Sequence, residues 1–150
     1  MNVLFVCTGN TCRSPMAEAL LKKHMPSLNV KSAGIYANEG SPINPHAKSV
    51  LEEVDVDIDH ASSPVTTELL EWSDITLTMT LTHKLLLITH FPDYQDNVYT
   101  LIEYAMEDDE TLNGTTLDVE DPFGQSISVY RDTLEQLERY MPNLIKKLKK

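Results

Sequence analysis

Cysteine is scarce: Cys7 and Cys12 are the only two in 150 residues. A pair this sparse does not staple a secreted fold, so a reducing cytoplasm with both thiols free is the expectation. Glycine is also rare, five residues beside eight prolines, which excludes collagen-like and low-complexity chains. Basic residues are few, 12 against 23 acidic, for a net charge of −11. A surface this negative repels phosphate backbones and anionic lipid head groups, so neither nucleic acid nor a membrane is expected as a partner. A cationic group on a ligand would be welcome. No apolar run approaches the roughly 20 residues of a membrane span, and the segment Met1–Cys7 is too short and too poor in bases for a signal peptide. What is present is an ordinary globular mixture, 41% hydrophobic and 23% charged, long enough for one domain over 1–150 with a substantial core. A monomer is expected.

Along the chain, strands and helices alternate. Val3-Leu4-Phe5-Val6 is a short run of strand formers, and Thr8-Gly9-Asn10-Thr11 is turn-like. Ser14-Pro15 has the form of a helix N-cap with proline in the first turn, and Met16, Ala17, Leu20 and Leu21 recur at helical spacing toward His24. Asn29–Ser32 reads as a second strand ended by Gly34, and Pro45–Val54 as a helix. A short helix is expected over Thr66–Glu71, a strand over Asp74–Met79, a helix over Thr82–Phe91 and a last strand over Val98–Thr100. After a long loop, Ile127, Tyr130, Leu134, Leu137, Met141, Leu144 and Leu148 mark one face of a final amphipathic helix, with a kink or restart expected at Pro142. Lys146, Lys147, Lys149 and Lys150 complement its dipole. The alternation predicts an α/β fold, a parallel sheet with helices on both faces, without linker, repeat or second domain.

Ligands of such sheets sit beyond the carboxyl ends of the strands, and Cys7–Arg13 falls there. Gly9 and Asn10 tolerate positive φ, so the loop can curl its N–H groups inward. The following helix offers a positive N-terminus, and Arg13 a planar fork for two phosphate oxygens. Cys7, at the bottom of that cradle, sits in a field that favours a thiolate. A thiolate beneath a bound phosphate is a nucleophile aimed at phosphorus.

The stretch Val6-Cys7-Thr8-Gly9-Asn10-Thr11-Cys12-Arg13-Ser14-Pro15-Met16-Ala17-Glu18 resembles the phosphate loop of the low-molecular-weight protein tyrosine phosphatases. The resemblance extends to Ser32-Ala33-Gly34, Pro45-His46-Ala47 and Asp121-Pro122-Phe123, nearly the whole chain. It implies a four-stranded parallel sheet flanked by helices, with Cys7 as nucleophile, Arg13 as phosphoryl clamp and Asp121 as general acid. It also implies that Asn10 holds the loop's unusual backbone and that Ser14 hydrogen-bonds the Cys7 sulfur. Thr8, Gly9, Asn10, Thr11, Cys12, Ser14 and Phe123 complete the expected substrate site. Thr11 stands where most members carry a bulky aliphatic residue, commonly isoleucine, against the phosphotyrosine ring. In this the chain resembles the bacterial protein arginine phosphatases. A slender, polar phosphoguanidinium gains more from a hydroxyl than from a methyl surface.

The expected reaction is hydrolysis of phosphoarginine in proteins through a cysteinyl-phosphate, without metal or organic cofactor, with phosphotyrosine as the alternative substrate. Arsenate reductase chemistry would need a later cysteine pair for its disulfide relay, and no cysteine follows Cys12. A phosphate-binding module without catalysis would be expected to lack the nucleophile or the acid. For the acid, Pro122 stiffens the backbone at Asp121 and Phe123 can wall a pocket; Asp118 is the fallback. Glu107, Asp108, Asp109 and Glu110 read as a solvated loop. His24, His46, His60, His83 and His90 lack metal-ligand spacing and are assigned to surface or capping roles. Trp72, Tyr99 and Tyr104 are assigned to packing. Cys7 and Cys12, facing each other across a curled loop, are expected to form a reversible disulfide on oxidation.

Overall fold

The structure is a computed structural model, and it describes residues 1–106 and 117–149. The acidic run Glu107–Glu110, read above as a solvated loop, and Lys150 lie outside the described residues. Four strands, β1 (Asn2–Cys7), β2 (Asn29–Gly34), β3 (Ile75–Thr78) and β4 (Val98–Thr100), form one sheet in the order β2-β1-β3-β4. Every pairing is parallel.

The run Val3–Val6 is apolar without a break because β1 is covered on both faces. Side chains alternate across a strand, so Val3, Phe5 and Cys7 join one core cluster and Leu4 and Val6 the other. On the first face lie α1 (Arg13–His24), α2 (Pro45–Glu53), α5 (Leu101–Ala105) and α6 (Ile127–Leu148). The second face is closed by α3 (Thr67–Trp72) and α4 (Leu81–His90), through Leu70 and Leu87.

Element types agree with the sequence reading, and the differences are local. Ser14 is not an N-cap. The cap position is Cys12, which makes no side-chain cap bond, and the Ser14 hydroxyl is spent on the loop instead. Nor does Pro142 restart the last helix: α6 runs unbroken for 22 residues. The carbonyl four residues upstream belongs to exposed Glu138, where water can take the missing hydrogen bond, while Leu137, Met141 and Leu144 stay packed on either side. The sequence reading passed over α5, yet its signal was present. Thr100 and Glu103 form a capping box, the S/T-x-x-E pattern. Trp72 packs within the second cluster beneath Lys31, and Tyr99 and Tyr104 pack against each other.

Where β2 ends, Gly34 meets the loop that follows β1. A Cβ on Gly34 would lie 2.5 Å from the Thr8 carbonyl oxygen and 2.9 Å from the Asn10 nitrogen, both backbone atoms. The two segments are held at that separation by hydrogen bonds from the Ile35 amide to the Cys7 carbonyl and from the Tyr36 amide to the Thr8 carbonyl. Gly34→Ala should therefore destabilise the protein by about 1–3 kcal/mol, the usual cost of overpacking a rigid site. Urea unfolding measures it; a midpoint equal to that of the parent would mean that the loop can retreat without cost.

Candidate active site

The loop 8–12 connects the last residue of β1 to the first of α1. Its turn is made by Asn10, left-handed at φ 57°, a conformation that Asn adopts more readily than most residues. Gly9, which tolerates positive φ as well, does not adopt it. A Cβ there would meet only the Thr11 hydroxyl, at 3.8 Å.

Asn10 is wholly buried. Its Oδ1 accepts from the Ser63 amide at 2.9 Å, which fixes the orientation of the amide group. Its Nδ2 then donates to Ser32 Oγ at 2.8 Å and to Ser14 Oγ at 2.9 Å. Ser32 passes its own hydrogen to Glu18 Oε1 at 2.5 Å. Ser14 Oγ lies 2.8 Å from Cys7 Sγ. It accepts from Asn10, and its own hydrogen is available to the sulfur. The Asn10 carbonyl accepts from His60 Nε2 at 2.7 Å, and the Thr11 carbonyl from the Asn44 amide at 2.9 Å.

The curled loop leaves a cavity of about 190 Å³ lined by Cys7, Thr8, Gly9, Thr11, Cys12, Arg13, Asp121 and Phe123. Eight residues singled out in the sequence thus line one cavity. Asn10 and Ser14, grouped with them as substrate contacts, do not: their side chains are turned inward and support the loop from behind. At the end of the loop the first amides of α1 have no intrahelical acceptor, which makes them donors for an anion.

Arg13 is buried, with Nη1 donating to the Val119 carbonyl at 3.1 Å and Nη2 3.6 Å from Asp121 Oδ2. Asp121 is more than half exposed at the rim, and its Oδ1 accepts from the Phe123 amide at 3.1 Å. Phe123 stands open to solvent at the mouth. Asp118 is employed elsewhere: its Oδ1 accepts from the Leu81 amide at the start of α4, at 2.8 Å.

Cys12 Sγ lies 3.5 Å from the Tyr130 hydroxyl. Burial pushes the Cys12 thiol above its ordinary range, outweighing that hydrogen bond, so it keeps its proton beside Cys7. Burial likewise raises Tyr130. His83 is driven down to about 4, first by burial and then by the Arg13 guanidinium, and its ring is neutral near pH 7. His60 and His83, assigned to surface or capping roles from sequence, both reach the loop. No local spacing marks them, since their partners are 50 and 75 positions away.

The comparisons with known proteins agree with this geometry over the full length. The chain is 45% identical to a protein-arginine-phosphatase of Bacillus subtilis strain 168, over 100% of this chain and 98% of that one. To the low molecular weight protein-tyrosine-phosphatase PtpB of Staphylococcus aureus it is 38% identical, over 99% and 97%. A solved YwlE arginine phosphatase, a cysteine-to-serine mutant with a phosphorylated active-site serine, superposes with a TM-score of 0.92 at 44% identity, covering 100% of this chain and 97% of that one. Residues 2–150 match the family of low molecular weight phosphotyrosine protein phosphatases, and the chain belongs to it.

Proposed function

We propose that the protein is a cytoplasmic, monomeric protein-arginine phosphatase. The observation that carries the choice of substrate is Thr11, a short hydroxyl-bearing side chain on the cavity wall where an aryl ring would need apolar surface. Two observations support it: the B. subtilis relative that is a protein-arginine-phosphatase by name, and Asp121, a carboxylate at the rim where a guanidinium would pass. The free cysteines suit a reducing compartment, and none of the described helices is long and apolar enough to cross a membrane. The net charge of −11 disfavours nucleic acid.

On this reading the phosphoryl group enters over Cys7, held by the loop amides and by Arg13. The Cys7 sulfur attacks phosphorus while the P–N bond breaks, and Asp121 delivers its proton to the departing guanidine nitrogen. Without that proton the leaving group would be a guanidine anion, which departs poorly. The product is a cysteinyl-phosphate and free arginine on the protein. Asp121, now a carboxylate, takes a proton from water as the water oxygen attacks phosphorus. The S–P bond breaks and inorganic phosphate leaves. Ser14, donating to sulfur, stabilises the thiolate as it departs.

Asp121→Asn should lower kcat on a phosphoarginine peptide by about 10²–10⁴, the range for removing a general acid, and by less on an aryl phosphate with a good leaving group. Steady-state kinetics on both substrates decides it. If Asp118→Asn is the damaging change instead, the acid is misassigned.

Thr11→Ile adds apolar bulk and removes the hydroxyl. It should shift the ratio of kcat/KM for phosphoarginine to that for phosphotyrosine peptides by roughly 10–200-fold toward phosphotyrosine. A wild-type enzyme that prefers phosphotyrosine would overturn the arginine reading. A parallel fall in both activities, with the circular dichroism unchanged, would reduce Thr11 to a support of the loop.

Cys7 and Cys12 line the same cavity, and we assign them a reversible oxidation. Peroxide converts the Cys7 thiolate to sulfenic acid; the Cys12 sulfur then attacks it, water leaves and a disulfide forms. Mild peroxide should abolish activity, dithiothreitol should restore it, and peptide mapping should find the Cys7–Cys12 bridge. Overoxidised Cys7 without that bridge would remove Cys12 from the role.

A further inference from the structure

The reaction above does not use His83, yet its ring is built into the site. It lies in the first turn of α4, only 6% exposed, with its backbone amide donating to the Thr80 cap hydroxyl. Its Nε2 lies 2.8 Å from Thr8 Oγ1, and Thr8 lines the catalytic cavity. Its Nδ1 is buried and has no hydrogen-bond partner among the described residues. Burial and the Arg13 guanidinium hold the ring neutral against the pull of Asp118 and Asp121.

A neutral imidazole carries one N–H, and the unpartnered Nδ1 decides where it sits. A hydrogen on Nδ1 would bury a donor with nothing to receive it, and orphaned buried N–H groups are rarer than under-used acceptors. The hydrogen therefore belongs on Nε2, where it has an acceptor, Thr8 Oγ1. That bond fixes the polarity of the hydroxyl. With one lone pair engaged by the ring, the Thr8 hydrogen is free to turn to the cavity. In the opposite tautomer Thr8 would donate to the ring and show a phosphoryl oxygen only lone pairs.

We propose that His83 is a positioning residue: by donating from Nε2 to Thr8 Oγ1 it makes the Thr8 hydroxyl a hydrogen-bond donor to the phosphoryl group. The inference rests on the phosphatase reading of the same site. It concerns the anionic end of the substrate and is independent of whether the leaving group is guanidine or phenol.

The test is a double-mutant cycle on hydrolysis of p-nitrophenyl phosphate. Thr8→Val and His83→Leu should each lower kcat/KM about tenfold, the order expected for one lost hydrogen bond to a charged group. The double variant should be no worse than the poorer single one, because His83 acts on the phosphoryl group only through the Thr8 hydroxyl. His83→Gln keeps an N–H on a side chain of similar reach and should recover most of the loss, which a purely packing role would not produce. Losses that multiply to about 100-fold in the double variant would overturn the proposal, as would a folded Gln variant no better than Leu. If His83→Leu does not fold, the cycle is closed with His83→Gln and Thr8→Val, and an unchanged Thr8→Val rate also overturns it. Wild-type protein that releases no p-nitrophenol would instead overturn the phosphatase reading beneath it.

Discussion

A single buried carboxamide holds this site together. Asn10 occupies a left-handed backbone conformation that an L-residue adopts at a cost, and three hydrogen bonds from its side chain hold it there. The bonds reach β2 through Ser32, the segment between α2 and α3 through Ser63, and α1 through Ser14. Because the Ser63 amide can only donate, Asn10 must present its oxygen there and its nitrogen to the two serines. Both serines then accept from Asn10 and keep their own hydrogens for Glu18 and the Cys7 sulfur. Glu18 terminates the chain at one end as a pure acceptor, tied also to Lys22 at 2.5 Å, and Cys7 sulfur terminates it at the other. The same amide thus shapes the loop and leaves the Ser14 hydrogen for sulfur. Shape and electrostatics of the cavity are coupled at one residue.

The opposite wall is anchored separately. The Val119 amide donates to the Met79 carbonyl at 2.8 Å, extending the line of β3, and the Val119 carbonyl accepts from Arg13. Asp118 caps the start of α4 from the same segment. Arg13 therefore has two tasks that compete for its five donors. One nitrogen fixes the segment that carries Asp121, and the others remain for a phosphoryl group. The 3.6 Å contact with Asp121 is loose enough to yield when a dianion arrives, whereas the bond to the Val119 carbonyl keeps the acid within range.

Most of the fold was legible in the sequence because it depends on patterns of short range. Alternating short strands and amphipathic helices leave few topologies other than a parallel sheet, and Cys7, Gly9, Asn10 and Arg13 sit together in one continuous stretch. What escaped depends on partners far along the chain. Ser14 before Pro15 looks like a cap when only its neighbours are visible. Its hydroxyl is engaged because the curl of the loop brings Cys7 and Asn10 to it. His60 and His83 show no spacing that would mark them, since both act through atoms of a loop more than 45 residues away. The restart expected at Pro142 fails for a different reason. The local rule is sound, but Pro142 and Glu138 lie on the exposed side of α6 and the buried stripe of the helix outweighs the lost bond.

The distribution of charge bears on substrate choice in a way that Thr11 alone does not. The protein carries an excess of negative charge, which repels a phosphorylated segment as a whole, while the base of the cavity, with Arg13 and the start of α1, attracts the phosphoryl group. Between these opposing fields stands the rim, where Asp121 is the exposed charge on the cavity wall. A phenyl phosphate brings only negative charge past that carboxylate. A phosphoguanidinium, when protonated, is dipolar along the direction of approach, with its anionic end toward the arginine and its cationic end level with the acid. The interaction at the rim is then attractive during binding. The carboxylate can then take a proton from a terminal guanidinium nitrogen and return it to the bridging nitrogen as the P–N bond breaks, so that neutral guanidine leaves. One carboxyl group can serve both steps only if the substrate's positive charge lies next to the scissile bond, and that condition separates arginine phosphate from tyrosine phosphate on electrostatic grounds.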